Sequence, residues 1–133
     1  MSADDSIQKF LAGSSFAVVG ASTDRSKYGN KVLRCYMQRK RAVTPVHPKE
    51  REIEGLPCAP DLASVQPRPH GVSIITPPPI TEKVVQQAIA LGIQHLWMQP
   101  GAESAAAIDA ARAAGIDVIA GGPCLLVVLG YRE

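Results

Sequence analysis

Short apolar runs alternate along the chain with longer stretches in which apolar residues recur every third or fourth position. Ser6 to Leu11 places Ile7, Phe10 and Leu11 on one side of a short helix. Ser15-Phe16-Ala17-Val18-Val19-Gly20 is a continuous apolar run ending in glycine, the pattern of a strand buried on both faces. From Tyr28 to Arg41 the positions Val32, Leu33, Tyr36 and Met37 keep helical spacing. Ala42 to Val46 reads as a second strand, stopped by Pro45 and Pro48. Gly55 to Pro60 reads as loop, after which Asp61 caps a single turn through Val65.

The third strand, Gly71-Val72-Ser73-Ile74-Ile75, ends at the triple proline Pro77-Pro78-Pro79. Thr81 is then the expected N-cap of a helix from Glu82 to Leu91, closed by Gly92. A fourth strand spans Ile93 to Met98 and a fifth Ile116 to Ala120. Between them, residues 102–114 are alanine-rich and predict a helix closed by Gly115. Leu125 to Leu129 fits either strand or helix.

Strands alternating with helices of this length imply βαβ units and a parallel sheet, with right-handed crossovers placing helices on both faces. The expectation is one α/β domain over residues 1–133: a Rossmann-like, doubly wound, five-stranded parallel sheet with strand order 3-2-1-4-5. The C-terminal ends of the strands run into Gly20-Ala21-Ser22, Pro45-Val46-His47-Pro48, Thr76-Pro77-Pro78, Gln99-Pro100-Gly101 and Gly121-Gly122-Pro123-Cys124. In an open α/β sheet those ends share one edge, and ligands bind there.

Composition narrows the class of ligand. The 133 residues are 46% hydrophobic and 20% charged, an ordinary globular balance. No apolar run is long enough to span a membrane, and the acidic start Met1-Ser2-Ala3-Asp4-Asp5 lacks the features of a secretory signal. Three cysteines, Cys35, Cys58 and Cys124, make no closed disulfide set and have no metal-ligand spacing, so a cytoplasmic setting is expected. The net charge of +2 conceals an asymmetry. Residues 1–51 hold ten Lys/Arg against four acids, +6, and the remainder four against eight, −4. A basic half suits either solvated helix faces or an anionic partner. Nucleic acid is disfavoured, because aromatics are 5% and no stacking motif is present.

Gly20-Ala21-Ser22 sits where a dinucleotide fold carries its phosphate turn, although only the first glycine of the usual fingerprint is present. The end of the second strand is more telling. A nicotinamide dinucleotide site places an acid there for the ribose hydroxyls. This chain has Pro45, Val46, His47 and Pro48, followed by Lys49 and Arg51. Cations in that place suit a phosphorylated ribose, as in NADP or coenzyme A.

The blocks Ala17-Val18-Val19-Gly20-Ala21-Ser22, Lys27 and Gly29, Thr44-Pro45-Val46-His47-Pro48-Lys49, Glu52-Ile53-Glu54-Gly55 and Leu96-Trp97-Met98-Gln99-Pro100-Gly101 together resemble the small single-domain CoA-binding proteins. That family is similar to the N-terminal CoA-binding domain of the succinyl-CoA synthetase alpha subunit. The resemblance runs from about Phe16 to Cys124. It implies that Gly20, Ala21, Ser22 and Lys27 approach the pyrophosphate, and that Pro45, Val46, His47, Pro48 and Lys49 border the adenosine and its phosphate. It further implies that Thr76, Pro77 and Pro78 flank the nucleotide, that Gln99, Pro100 and Gly101 line the pantetheine path, and that Cys124 matches a cysteine common near the end of the fold. His47 departs from the asparagine often found at its position.

The resemblance implies binding of CoA or an acyl-CoA but not a reaction. The synthetase subunit carries a phosphorylated histidine and further domains, which this length leaves no room for, so a sensor, carrier or regulatory module is expected. The alternatives are a small NADP-dependent oxidoreductase and a protein–protein adaptor retaining the fold. No catalytic constellation or metal cluster is legible: His47, His70 and His95 fall on separate elements, and Trp97 reads as core. Cys124 reads as an inert thiol or as one that exchanges with a thiol cofactor. The alanine-rich last helix and the aliphatic tail could support a homodimer or contact with another protein.

Overall fold

The structure, a computed structural model, describes residues 3–133; Met1 and Ser2, the start of the segment expected to carry no signal, lie outside the described residues. Five parallel strands form the sheet: β1 (Ser15–Val19), β2 (Ala42–Val46), β5 (Gly71–Ile74), β6 (His95–Met98) and β7 (Asp117–Ile119). Helices α1 (Ala3–Leu11), α2 (Tyr28–Gln38) and α5 (Leu125–Val128) supply one layer, and α3 (Pro78–Leu91) and α4 (Ala105–Ala113) the other. Alternate strand residues feed the two cores. Phe16, Val18 and Trp97 join Phe10, Leu33, Tyr36 and Leu125 on one face. Ala17, Val19, Val72, Ile74, Leu96 and Met98 join Val84, Val85, Ala88 and Ala111 on the other. No helix among the described residues is long and apolar enough to cross a membrane.

The doubly wound parallel sheet is as expected, but the strand order is not. The order is β2-β1-β5-β6-β7, or 2-1-3-4-5 in the count of five, instead of 3-2-1-4-5. Pro45 explains why. Its carbonyl accepts from Ala59 on the side of β2 away from β1, so its missing N–H faces outward too. Proline is tolerated there only if no strand lies beyond it. β2 is therefore an edge strand, exposed or half-buried over Ala42–Thr44, while every residue of β5 is buried. The chain reverses direction across the sheet between β1 and β5.

Three local readings also change. The expected loop at Gly55 contains the end of a small antiparallel hairpin, β3 (Glu52–Ile53) and β4 (Leu56–Pro57), turned by Glu54 and Gly55, both at positive φ. That is the geometry of a type I′ turn. Helix α3 begins at Pro78, not after Thr81. Pro77 is its N-cap and two prolines fill its first turn, where their missing N–H groups cost nothing. Thr81 is instead buried inside the helix, its hydroxyl 2.8 Å from that of Thr76. Helix α2 stops at Gln38, short of Arg41. Lys40 adopts φ 56°, and Arg41 N–H returns to the Tyr36 carbonyl in a Schellman closure.

Asp61 caps its turn as expected, accepting from Ser64 N–H at 2.9 Å, and Leu125–Val128 is helical.

Candidate functional site

Parallel strands bring all five C-terminal ends to one edge. At its centre the chain leaves β1 through Gly20, which has φ 97° and lies so near the Ile75 carbonyl that a Cβ would stand 2.1 Å from the oxygen. Gly29, in the first turn of α2, packs just as closely on Gly20 itself, a Cβ there standing 2.0 Å from its carbonyl oxygen. These two glycines do the work that the spaced glycines of a dinucleotide fingerprint do, close turn and close helix approach, at a different spacing.

Between them the turn is held from within. Ser22 Oγ accepts from Asp24 N–H, and Asp24 Oδ1 accepts from both the N–H and the hydroxyl of Ser26. The Ser26 bonds hold the Asp24 carboxyl below its ordinary range. Lys27 is the N-cap of α2 with an exposed side chain. The buried Asn30 amide donates to the Ser22 carbonyl at 2.8 Å and to Glu54 at 3.1 Å. Arg34 donates to Asn30 Oδ1 and to the Arg25 carbonyl. Ala21 is buried, so the turn's chemistry lies in its backbone and in Ser22, Arg25 and Lys27.

On the β2 side, Pro45 and Val46 are buried beneath His47, Pro48 and Lys49. His47 Nδ1 accepts from the N–H groups of Lys49 and Glu50, both at 3.0 Å. An asparagine side chain can accept in the same way. Nε2 therefore carries the ring proton in this arrangement. Lys49 and Arg51 are exposed.

On the other side, Tyr28 bridges the edge. Its hydroxyl donates to Gln99 Oε1 at 3.1 Å and lies 2.7 Å from Cys124 Sγ. Gln99 is fully buried and its Oε1 also accepts from Leu125 N–H. Burial, with the Cys124 bond next in size, pushes the Tyr28 hydroxyl far above its ordinary range, so it stays protonated at neutral pH. Pro100 and Gly101 are exposed, and Gly101 N–H donates to Glu103 at 2.7 Å. Thr76 is half-buried, whereas Pro77 and Pro78 are exposed at the start of α3. Trp97 is wholly buried, as expected of a core residue, and its indole N–H reaches the Pro123 carbonyl.

The structure thus gathers Gly20, Ser22, Lys27, Gln99 and Cys124 around α2's first turn, with His47 and Lys49 flanking at β2. Sequence reasoning missed Tyr28, Arg25 and the Asn30–Arg34 pair. Their signal was positional: polar residues at the start of a helix that follows a phosphate-type turn. His70 and His95 lie at the opposite edge, stacked at 4.5 Å, with His95 Nδ1 3.9 Å from Asp117. The Cys35 thiol is pushed up to about 11 by burial, and Cys58 is raised by burial and by Glu50 and Glu52. No group of three or more potential metal ligands occurs among the described residues.

Comparison with known proteins identifies the family and the fold. Residues 14–130 match the family model of a CoA binding domain. The acetate–CoA ligase [ADP-forming] I of Archaeoglobus fulgidus is 32% identical over 71 residues, which are 53% of this chain and 10% of the ligase, so the chain corresponds to a small part of that relative. Among solved structures, a conserved hypothetical protein from Pyrococcus furiosus superposes with a TM-score of 0.82 at 33% identity, over 87% of this chain and 99% of its own. The dinucleotide-forming acetyl-coenzyme A synthetase 1 of Candidatus Korarchaeum cryptofilum superposes with a TM-score of 0.69 at 27% identity, over 79% of this chain and 25% of the synthetase.

Proposed function

Since the chain belongs to the CoA-binding domain family, we propose that it binds coenzyme A or an acyl-CoA along the C-terminal strand ends and acts as a sensor, carrier or regulatory module. The observation that carries this reading is the clustering of the Gly20 turn, Lys27 and the Tyr28–Gln99–Cys124 group on one edge, with Lys49 and Arg51 beyond β2. Small residues and backbone N–H groups at the start of α2 suit a pyrophosphate. The cations after β2 suit the phosphate on the ribose. Strands are about 4.8 Å apart, so a ligand crossing from β2 over β1 and β5 to β6 spans three intervals, a distance that an extended nucleotide with a long arm can cover.

Chemistry at this edge is subdued. Tyr28 keeps its proton, His47 Nδ1 is engaged by two backbone donors, and His70 and His95 lie at the far edge. Binding without turnover fits these residues better than acid–base catalysis does.

The test is thermal stability with CoA, acetyl-CoA, NADP and NAD in parallel. A ligand at 100 times its Kd adds about 2.7 kcal/mol. Stabilisation by CoA or acetyl-CoA and not by the nicotinamide nucleotides is expected. Stabilisation by NADP alone would replace this reading with an oxidoreductase, and no response to any of the four would leave an adaptor.

A further inference from the structure

We propose that Arg25 is a phosphate ligand of the first turn that Glu54 holds ready, the Glu54 carboxylate occupying in the free chain the place beside the guanidinium that a ligand phosphate takes on binding. The inference rests on the CoA reading only for the identity of the ligand.

Arg25 lies between Ser22 and Lys27, in the segment joining Gly20 to α2. Its backbone is fixed: Arg34 donates to its carbonyl at 2.8 Å, and Lys27 N–H closes back on Asp24. Its side chain is 65% exposed. An anchored main chain and a solvent-facing side chain are what a swinging ligand group requires.

Glu54 arrives from a different element, the tip of the β3–β4 hairpin, at φ 52°, a conformation that costs a non-glycine residue energy. Its carboxylate is 20% exposed, accepts from Asn30 Nδ2 at 3.1 Å and stands 3.5 Å from Arg25 Nε. Helix α2 has no acid in its own first turn. Glu54 therefore supplies from outside the negative charge that a helix N-terminus favours.

The two partners of Glu54 are unequal. The Asn30 bond is sheltered, and Asn30 is fully buried. The Arg25 contact is solvent-facing and beyond hydrogen-bond length, the kind of pair that contributes little. A phosphate offers the guanidinium two oxygens at once, which is a stronger and directional contact. Phosphate therefore displaces Glu54 from Arg25, while Asn30 keeps the hairpin docked. The exchange shapes the empty turn and opposes ligands that bring no phosphate to it.

The experiment is a calorimetric titration of CoA into the wild type, Glu54→Gln, Arg25→Gln and the double variant at one salt concentration. Glu54→Gln keeps an acceptor for Asn30 and removes the charge, so CoA should bind about fivefold tighter, while Arg25→Gln should bind about fivefold weaker or worse. In the Arg25→Gln background, Glu54→Gln should change affinity by less than about twofold, because contacting residues are coupled. No gain in Glu54→Gln, or the same gain in both backgrounds, overturns the proposal. The wild type supplies a second measurement that needs no folded variant: the NMR signal of Arg25 Nε should move on addition of inorganic pyrophosphate. A wild type that ignores CoA while its Arg25 signal follows pyrophosphate refutes the proposed function and retains this inference. An Arg25 signal indifferent to pyrophosphate refutes the inference itself.

Discussion

Gly29 presses on the carbonyl of Gly20 so closely that a Cβ would lie 2.0 Å from that oxygen and 3.3 Å from Ala21 Cα. Both neighbours are backbone, so neither can rotate away. Gly29→Ala must therefore push α2 off the end of β1, and overpacking of this kind costs about 1–3 kcal/mol. A fall in melting temperature of roughly 5–10 °C is expected, together with weakened CoA binding as the turn opens. A melting temperature within a degree of wild type would show that α2 slides without resistance.

Lys27 caps α2 through its backbone alone, with no side-chain hydrogen bond to the helix. Lys27→Ala should leave thermal stability unchanged while weakening CoA binding about tenfold at low salt, the scale of one charge-assisted contact. Calorimetry at two salt concentrations checks it; an unaltered affinity in the folded variant removes Lys27 from the site.

The exposed Lys49 and Arg51 should give CoA a severalfold advantage over dephospho-CoA, with NAD scarcely bound. Replacing both by alanine should bring the CoA to dephospho-CoA ratio close to one. Equal affinities in the wild type would mark this cluster as a solvated face.

Burial, and then the stacked His70 ring, hold the His95 imidazole below its ordinary range; the nearby Asp117 opposes this and Lys9 adds to it. The folded chain thus takes up this proton at lower pH than the unfolded chain does. Stability from His95 is complete above about pH 6.5, the unfolded value, and falls as the pH drops below it. Urea midpoints at pH 7.5 and 5.5 should differ more in the wild type than in His95→Gln, and equal differences would exclude His95 as the source.

Tyr36 and Ser73 share a 2.7 Å hydrogen bond between hydroxyls, and both residues are wholly buried. Tyr36→Phe strands the serine hydroxyl at a cost of about 1–3 kcal/mol, whereas Tyr36→Phe with Ser73→Ala removes both partners and should recover most of it. Denaturant unfolding of the two variants distinguishes them; a double variant no more stable than Tyr36→Phe alone would contradict the pairing.

Much of this architecture is legible in the order of residues, because parallel strands buried on both faces leave uninterrupted apolar runs such as Phe16–Val19 and Leu96–Met98. The sheet order was legible too, in Pro45, but only if a missing N–H is read as a statement about which side of a strand lacks a neighbour. Glu54-Gly55 was a turn signal of two residues between two-residue strands, too short for any periodicity to surround it. The Pro77–Pro79 run spoke both for an interruption and for a helix start, and the first meaning masked the second. Polar contacts were the hardest to foresee. Tyr28 and Cys124 are 96 positions apart, and no local pattern encodes their meeting.

Trp97 is the chain's sole tryptophan, and its surroundings make the protein its own fluorophore assay. The ring lies edge-on to Phe10 of α1, and its N–H is tied to Pro123, the residue before Cys124. Unfolding that wets the indole shifts its emission to the red, whereas a ligand that displaces Pro123 without wetting the ring alters intensity with little change of colour. One buried indole thus separates loss of fold from occupancy of the edge in a single spectrum.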